Sequence, residues 1–418
     1  MNLGAFSARG GALYLGAALE LVVILGRHGV RSPLQSPELL GEYSADAWPK
    51  WPVAPGYLTA HGSAEERALG VFFHDRYVAD GLLSGQAPVD APAITLRSDN
   101  DQRTVESARM LGEALAPNED LRLIHPPAGQ IDPLFGIALD PSIHADKQYL
   151  AAAVLGRMGN DPHAIIRSHQ AAYENLERIL FPQGPVPANK LDLLKLDVAV
   201  LPGEGPSVVS ISGAFGNGIR LTDALELEYC EGLPMDQVGW GRLNLSELQQ
   251  LMVLHSLYFD FTEKTYPCAQ VKASNLARHL IETFDQAVQR SAVPGAIGPA
   301  NQKVLVLLGH DTNLINLAGL LNIDWILPGS ELDCVLPGGS LVMELRRDDQ
   351  GKQWVRIEYV SETMQQLHDG TRVSLANPPG IAPIFIPSCS TNTPGYDAPL
   401  EAVEAKLNAA IDPRYVRP

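Results

Sequence analysis

The chain has 418 residues, 45% of them apolar and 19% charged, and carries a formal net charge of −17. The acidic balance argues against a nucleic-acid partner, which would want a basic face, and no stretch reaches the roughly 20 consecutive apolar residues of a membrane span. Length and composition fit a globular chain of two domains, or one large domain carrying an insertion.

Residues 1–18, with Arg9 ahead of an Ala/Leu/Gly run, resemble the front of a secretory leader. Cleavage beyond Leu19 would cut into the next element, so a complete leader is not expected. That element, Leu21-Val22-Val23-Ile24-Leu25, is an unbroken apolar run rich in β-branched residues, the pattern of a strand buried on both faces. Gly26 is expected to let the backbone turn, and Arg27, His28 and Arg31 follow within five residues. A buried parallel strand delivers such residues to the carboxyl edge of the sheet, where open α/β folds bind their ligands.

Residues 34–55 read as an irregular loop, and Thr59 as the cap of a helix over 63–81. His61 and His74 fit that helix as packing or surface residues. A second apolar strand, residues 93–96, runs into Arg97-Ser98-Asp99-Asn100-Asp101-Gln102-Arg103-Thr104 and a further helix. Helix amino ends favour anions, which puts Arg103 within reach of one.

Helical spacing then dominates, over 148–158, 163–181, 218–231, 246–262 and 274–290. This predicts a mainly helical domain at 142–299, inserted into or packed beside an α/β domain made of 19–141 and 300–418; parts of 34–60 pack with the insert. Gly213–Gly218 lacks the Lys-Ser/Thr of a phosphate loop and reads as a helix entry. The pattern of strand, polar turn and helix then returns at residues 303–308, Gly309-His310-Asp311-Thr312-Asn313 and a helix over 314–321. Residues 338–345 and 354–359 alternate like an antiparallel pair, and a helix is expected near 399–410. The fold class is α/β, with a mostly parallel central sheet flanked by helices.

Three turns, each after an apolar strand and before a helix, meet if the strands share a parallel sheet. They would bring together Arg27, His28, Arg31, Arg103, His310 and Asp311. Arginines hold phosphoryl charge, an imidazole attacks phosphorus to give a phosphohistidine, and a carboxyl group serves as acid and then base. No metal or other cofactor is expected: arginines supply the positive charge, and no H-E-x-x-H or carboxylate cluster is present. Cys230, Cys268, Cys334 and Cys389 fit no zinc pattern, and four cysteines admit three disulfide pairings.

RHGVRSP at Arg27–Pro33 and HDTN at His310–Asn313 resemble the paired signatures of the histidine acid phosphatases, the high-molecular-weight branch of the histidine phosphatase superfamily. Bacterial periplasmic phytases and glucose-1-phosphatases are its nearest members. LTAHG at Leu58–Gly62, DNDQRT at Asp99–Thr104, VGWGR at Val238–Arg242 and LPGG at Leu336–Gly339 extend the likeness over nearly the whole chain.

The resemblance implies His28 as nucleophile, Asp311 as proton donor, and Arg27, Arg31, Arg103 and His310 as the phosphate pocket. It also implies Asp99 as a partner for an arginine. Arg220, Asp223, His255 and Lys272 align with the family's specificity pocket, and the pair Leu34-Gln35 stands where phytases of this branch carry a Lys shortly after the RHGxRxP turn, which adds Gln35 to the candidate pocket. Cys389 resembles one of a C-terminal bridged pair whose second cysteine is absent near Gly395-Tyr396-Asp397. The activity implied is acid hydrolysis of small-molecule phosphomonoesters, inositol phosphates or glucose 1-phosphate, in a periplasmic or secreted protein of open oligomeric state. A phosphoglycerate-mutase-like phosphotransferase and a non-catalytic sugar-phosphate binding protein are the competing readings.

Overall fold

The computed structural model describes residues 17–205 and 207–417. The leader-like stretch at 1–18 therefore lies almost wholly outside the described residues. Among these residues no helix is long and apolar enough to cross a membrane.

The strands in chain order are β1 (Ala18–Arg27), β2 (Ile94–Ser98), β3 (Leu123–Ile124), β4 (Val200–Pro202), β5 (Val209–Ile211), β6 (Val304–Gly309), β7 (Ser340–Arg347), β8 (Gln353–Ser361), β9 (Gly380–Pro383) and β10 (Ala398–Pro399). The main sheet has eight strands in the order β10-β8-β7-β1-β6-β2-β3, with β9 also on β8; β4 and β5 form a separate hairpin. β1, β6, β2 and β3 are parallel, whereas β7 to β10 add antiparallel. The sheet is thus mixed. Its parallel half carries the three signature turns, and the alternating pair read from the sequence is β7 and β8. β6 sits between β1 and β2, although β2 precedes it by most of the middle of the chain.

β1 is apolar throughout because both faces of the sheet are covered. Leu21, Val23 and Leu25 point into one core with Leu305 and Leu307. Val22 and Ile24 point into the other, against Phe72, Phe73 and Leu111. Each such fully buried side chain contributes about 1.5–3 kcal/mol. Gly26 does not turn the chain as expected, since β1 continues through Arg27. Its lack of a side chain serves packing: a Cβ there would lie 2.8 Å from Ser340 Oγ on β7.

Thr59 caps a helix at Ala60–Ala79, accepting from the Gly62 N–H at 2.9 Å, so the helix begins three residues earlier than its apolar spacing suggests. The helix entered through Gly213–Gly218 likewise starts early, at Gly213, and runs to Cys230. Two expected helices are each broken in two, at His169 and at Met252. A third core is built mostly from residues 150–271. The helix Tyr266–Gln289 does not stay with that helical region: Ala273, Leu276, Leu280 and Phe284 join the sheet core. One of its faces is apolar enough to cover the sheet, and helix Asp311–Leu321 packs beside it.

Candidate active site

Three parallel strands end level with one another. Arg27 pairs with Gly309 across β1 and β6, and Ser98 pairs with Leu308 across β2 and β6. The residues that follow, His28, Asp99 and His310, emerge at one carboxyl edge. Two cross-links hold the turns there: His28 N–H donates to Gly309 O at 3.1 Å, and Asp99 N–H to Leu308 O at 2.9 Å. Arg103 lies in the first turn of helix Gln102–Leu115, and Asp311 opens helix Asp311–Leu321. Asn313 explains the last letter of HDTN. Its Oδ1 accepts from His310 N–H at 2.9 Å while its Nδ2 donates to Phe135 O at 2.8 Å, which pins His310 at the mouth of the helix.

All these turns face one cavity of about 630 Å³, lined by His28, Arg31, Asp99, Arg103, His310 and Asp311. Arg27 stands behind that wall, wholly buried. His28 Nδ1–H donates to Gly29 O at 2.8 Å. That bond fixes the tautomer and leaves the lone pair on Nε2. Burial, followed by the fields of Arg103, Arg31, Arg27 and His310, holds the His28 imidazole well below its ordinary value. It stays neutral where a nucleophile must.

Burial opposes the charge on Arg27, yet Asp311, Glu226 and Asp223 raise its pKa above the usual guanidinium value. Its Nε lies 3.3 Å from Asp311 Oδ2 and its Nη2 3.7 Å from Asp223 Oδ1. Its Nη1 donates to Val335 O. Arg31 Nη2 reaches both Asp223 oxygens at 3.3 Å. For Asp311, burial works upward but Arg27, His255, His310 and Arg31 outweigh it, so its carboxyl lies below the usual range.

Asp99 was expected beside an arginine and instead accepts from His310 Nε2 at 3.0 Å. Asp101 takes the arginine, 2.7 Å from Arg103 Nη2. The reason is local: Asp101 is the N-cap of the helix whose second residue is Arg103, while Asp99 lies against the end of β6. Arg103 Nη2 also donates to His310 Nδ1 at 3.5 Å.

Gln35, Arg220, Asp223, His255 and Lys272 all line the same cavity. Asp223 belongs to the anchoring of Arg27 and Arg31 as much as to the outer pocket. His255 is buried edge-on to Phe259 and pulled down to about 4 by burial. Lys272 is paired with Glu263, and Arg220 is exposed, bonded to Asn217 at 3.4 Å. Two residues went unread in the sequence, Glu263 and Glu226. Glu226 is fully buried, 3.9 Å from Arg27 Nη1, and pushed up to about 8 by burial. A signal for it existed: two acids three apart inside the apolar helix segment Leu221–Cys230.

Two groups bring carboxylate and imidazole atoms close enough to share a cation, Asp99–Asp101–His310 and Asp223–Glu226–His255. Guanidinium groups already neutralise them, Arg103 at Asp101 and Arg27 and Arg31 at Asp223. All four cysteines are buried and none is disulfide-bonded.

The chain matches the model of the histidine phosphatase superfamily, branch 2, over residues 18–159 and 210–360. It is 33% identical over 381 residues to phytase AppA of Escherichia coli, covering 89% of this chain and 87% of that protein. It is 27% identical over 386 residues to a glucose-1-phosphatase of Providencia rettgeri, covering 90% and 88%. Hafnia alvei phytase in complex with tartrate superposes with a TM-score of 0.89 at 30% identity, over 97% of this chain and 100% of that one. The same phytase with myo-inositol hexakis sulphate gives 0.86 over the same shares. Sequence match, fold and the convergence of three strand ends agree: this chain belongs to branch 2 of the histidine phosphatase superfamily.

Proposed function

We propose that the chain is an acid phosphomonoesterase that works through a phosphohistidine. One observation carries the reading. His28, with Nδ1 tied to Gly29 O, presents the Nε2 lone pair to a cavity that Arg31, Arg103 and His310 also line, with Arg27 close behind.

In this reading the three arginines and His310 hold the phosphoryl oxygens, each charge-assisted bond being worth about 1.5–3 kcal/mol. His28 Nε2 attacks phosphorus in line with the ester oxygen. The N–P bond forms as the P–O bond breaks, and the departing oxygen takes the proton of Asp311. Water then attacks the phosphohistidine, giving its proton to the Asp311 carboxylate, and phosphate and neutral His28 are regenerated. Asp311 begins below the usual carboxylate range. A phosphate dianion beside it raises its proton affinity, and an acidic medium supplies the rest, so turnover is favoured at low pH.

The substrates proposed are inositol phosphates or glucose 1-phosphate, the classes named for the relatives. We also propose residues 142–299 as a mainly helical unit beside the α/β unit, with its last helix, Tyr266–Gln289, packed on the sheet core, and a periplasmic or secreted location. The test is a panel of inositol hexakisphosphate, glucose 1-phosphate and p-nitrophenyl phosphate at acidic pH, with acid-labile labelled phosphoenzyme trapped from the wild-type protein. Hydrolysis with trapping supports the reading. Binding of substrate without either identifies a sugar-phosphate binding protein, and transfer of the label to a sugar phosphate rather than water identifies a mutase-like phosphotransferase.

A further inference from the structure

The helix Val253–Thr262 sends a row of side chains along one wall of the cavity. His255 and Phe259 stand four residues apart and so share a face. Glu263, the residue that ends the helix, continues the row, and all three line the cavity. His255 is the end of the row beside the phosphate pocket: a ring nitrogen lies within 4.8 Å of an Asp223 carboxylate oxygen, and Asp223 holds Arg31. Two turns of helix put Glu263 about 12 Å further along the axis, at a distance that suits a leaving group rather than the phosphoryl group.

Glu263 does nothing for its own helix. It sits at the carboxyl end, where the helix dipole disfavours an acid, and its side chain is buried. What compensates it is Lys272, whose Nζ donates to Glu263 Oε2 from the second turn of helix Tyr266–Gln289. Both side chains are largely out of water, Glu263 8% exposed and Lys272 14%. Separating such a pair leaves a buried charge without a counterion, so Lys272 is not readily given up to a ligand.

This pairing decides what the cavity can offer beyond the first phosphate. Among the described residues its wall carries Arg31, Arg103, Arg220 and Lys272 as cations. Arg31 and Arg103 hold the phosphoryl group in the reaction proposed above. Arg220 is exposed and bonded to Asn217 at 3.4 Å, and Gln35 brings an amide rather than a charge. A second phosphate would find Lys272 already neutralised, with a carboxylate beside it. A neutral sugar finds the reverse: the Glu263 carboxylate has further acceptor positions for hydroxyls, the Lys272 ammonium has further donors, and Phe259 lies alongside.

We propose that Glu263 is a specificity-determining residue. By holding Lys272 it turns the cavity toward monophosphate esters of neutral, hydroxyl-rich alcohols, of which glucose 1-phosphate is one, and against substrates that carry several phosphates. The proposal rests on the phosphatase reading above and narrows it.

The test is kcat/KM of the full chain for glucose 1-phosphate and for inositol hexakisphosphate at about pH 5.5, above the ordinary carboxyl range. Wild type, Glu263→Gln and Glu263→Gln/Lys272→Gln are compared, with p-nitrophenyl phosphate as the measure of the chemistry. Wild type is expected to favour glucose 1-phosphate. Glu263→Gln keeps the size of the side chain and removes its charge, which frees Lys272 for a second phosphate. The ratio of inositol hexakisphosphate to glucose 1-phosphate should then rise about tenfold, the scale of one charge-assisted hydrogen bond. A ratio cancels any loss common to both substrates, which is all that a merely structural role would give. In the double variant the freed cation is gone, and the ratio should return to within about threefold of wild type.

Wild type that handles inositol hexakisphosphate as well as glucose 1-phosphate, a ratio unmoved in Glu263→Gln, or a gain that survives the loss of Lys272 would overturn the proposal. The first of these needs no variant and decides the matter should Glu263→Gln not fold. Protein that cleaves none of the three esters, p-nitrophenyl phosphate included, strikes the proposed function instead.

Discussion

Arg27 Nε lies 3.3 Å from Asp311 Oδ2, so the group proposed as proton donor rests against the most deeply buried cation of the site. That contact favours the carboxylate, and the family reaction needs the acid. Asp311→Asn is therefore expected to slow alkyl phosphates by about 10²- to 10⁴-fold. p-Nitrophenyl phosphate, whose leaving group needs little protonation, should lose much less. Equal losses on the two substrates would remove Asp311 from the donor role.

His28 is held neutral by burial and by Arg103, Arg31 and Arg27. Its protonation should therefore leave no acid limb near pH 6.5 in the profile of kcat/KM against pH; the limb should fall well below that value. His28→Ala is expected to abolish both turnover and labelled phosphoenzyme, read by acid-quench trapping. Residual trapping in that variant would mean that another residue carries the phosphoryl group.

Stability should fall as pH rises from about 6.5 to 9. Burial pushes Glu66, Glu226 and Glu228 up to about 8 and Glu362 up to about 9. Each binds its proton more tightly folded than unfolded, so raising the pH through those values weakens the fold. His61, raised to about 9 by its bond to Glu65, works the same way: its contribution is full below its unfolded value of 6.5 and is lost through 9. Below 6.5 the depressed His28 and His255 oppose this trend, so the upper window is the clean one. Calorimetry should find a lower Tm at pH 9 than at 6.5, with a smaller difference in Glu226→Gln.

Cys230, Cys268, Cys334 and Cys389 are buried and unbonded, and burial raises the pKa of each thiol. A thiol-specific reagent should find none reactive in the folded protein and all four after denaturation. Reductant should leave the Tm unchanged. A Tm that drops on reduction would require a bridge that this arrangement of the chain does not contain.

Gln35 lines the same cavity as Arg31 and Arg103, so a Lys in its place would add a cation toward any substrate with more than one phosphate. Gln35→Lys is expected to raise kcat/KM for inositol hexakisphosphate relative to glucose 1-phosphate by about two- to fivefold, the scale of a partly exposed ion pair. The ratio of the two constants, measured side by side, checks it; no change would mean that position 35 does not set this preference.

Much of the site could be read from local pattern. Leu21–Leu25, the run ending at Leu96 and that ending at Leu308 are short, apolar and β-branched, and each is followed at once by charge; a parallel sheet permits only one meeting place for such turns. Their order was not readable, because nothing local tells β6 to insert between β1 and β2. Glu226 and Glu66 escaped notice for a related reason. An acid on a helix is normally solvated, and only the arrival of Arg27 or of the Gly29 turn from a remote segment makes these two interior. Gly26 misled because a glycine before a polar turn resembles a hinge, whereas its role is set by Ser340 on a strand that could not yet be placed.

The insertion of β6 between β1 and β2 has a consequence for biosynthesis. A nascent chain that has not yet emerged past Gly309 has no central strand, and β1 and β2 have no partner through which to meet. The half-made polypeptide thus keeps open sheet edges exposed for as long as translation of the helical stretch takes, the interval in which aggregation competes. It also lacks His310 and Asp311, so chemistry cannot begin on the ribosome and waits for the late strand to slot home.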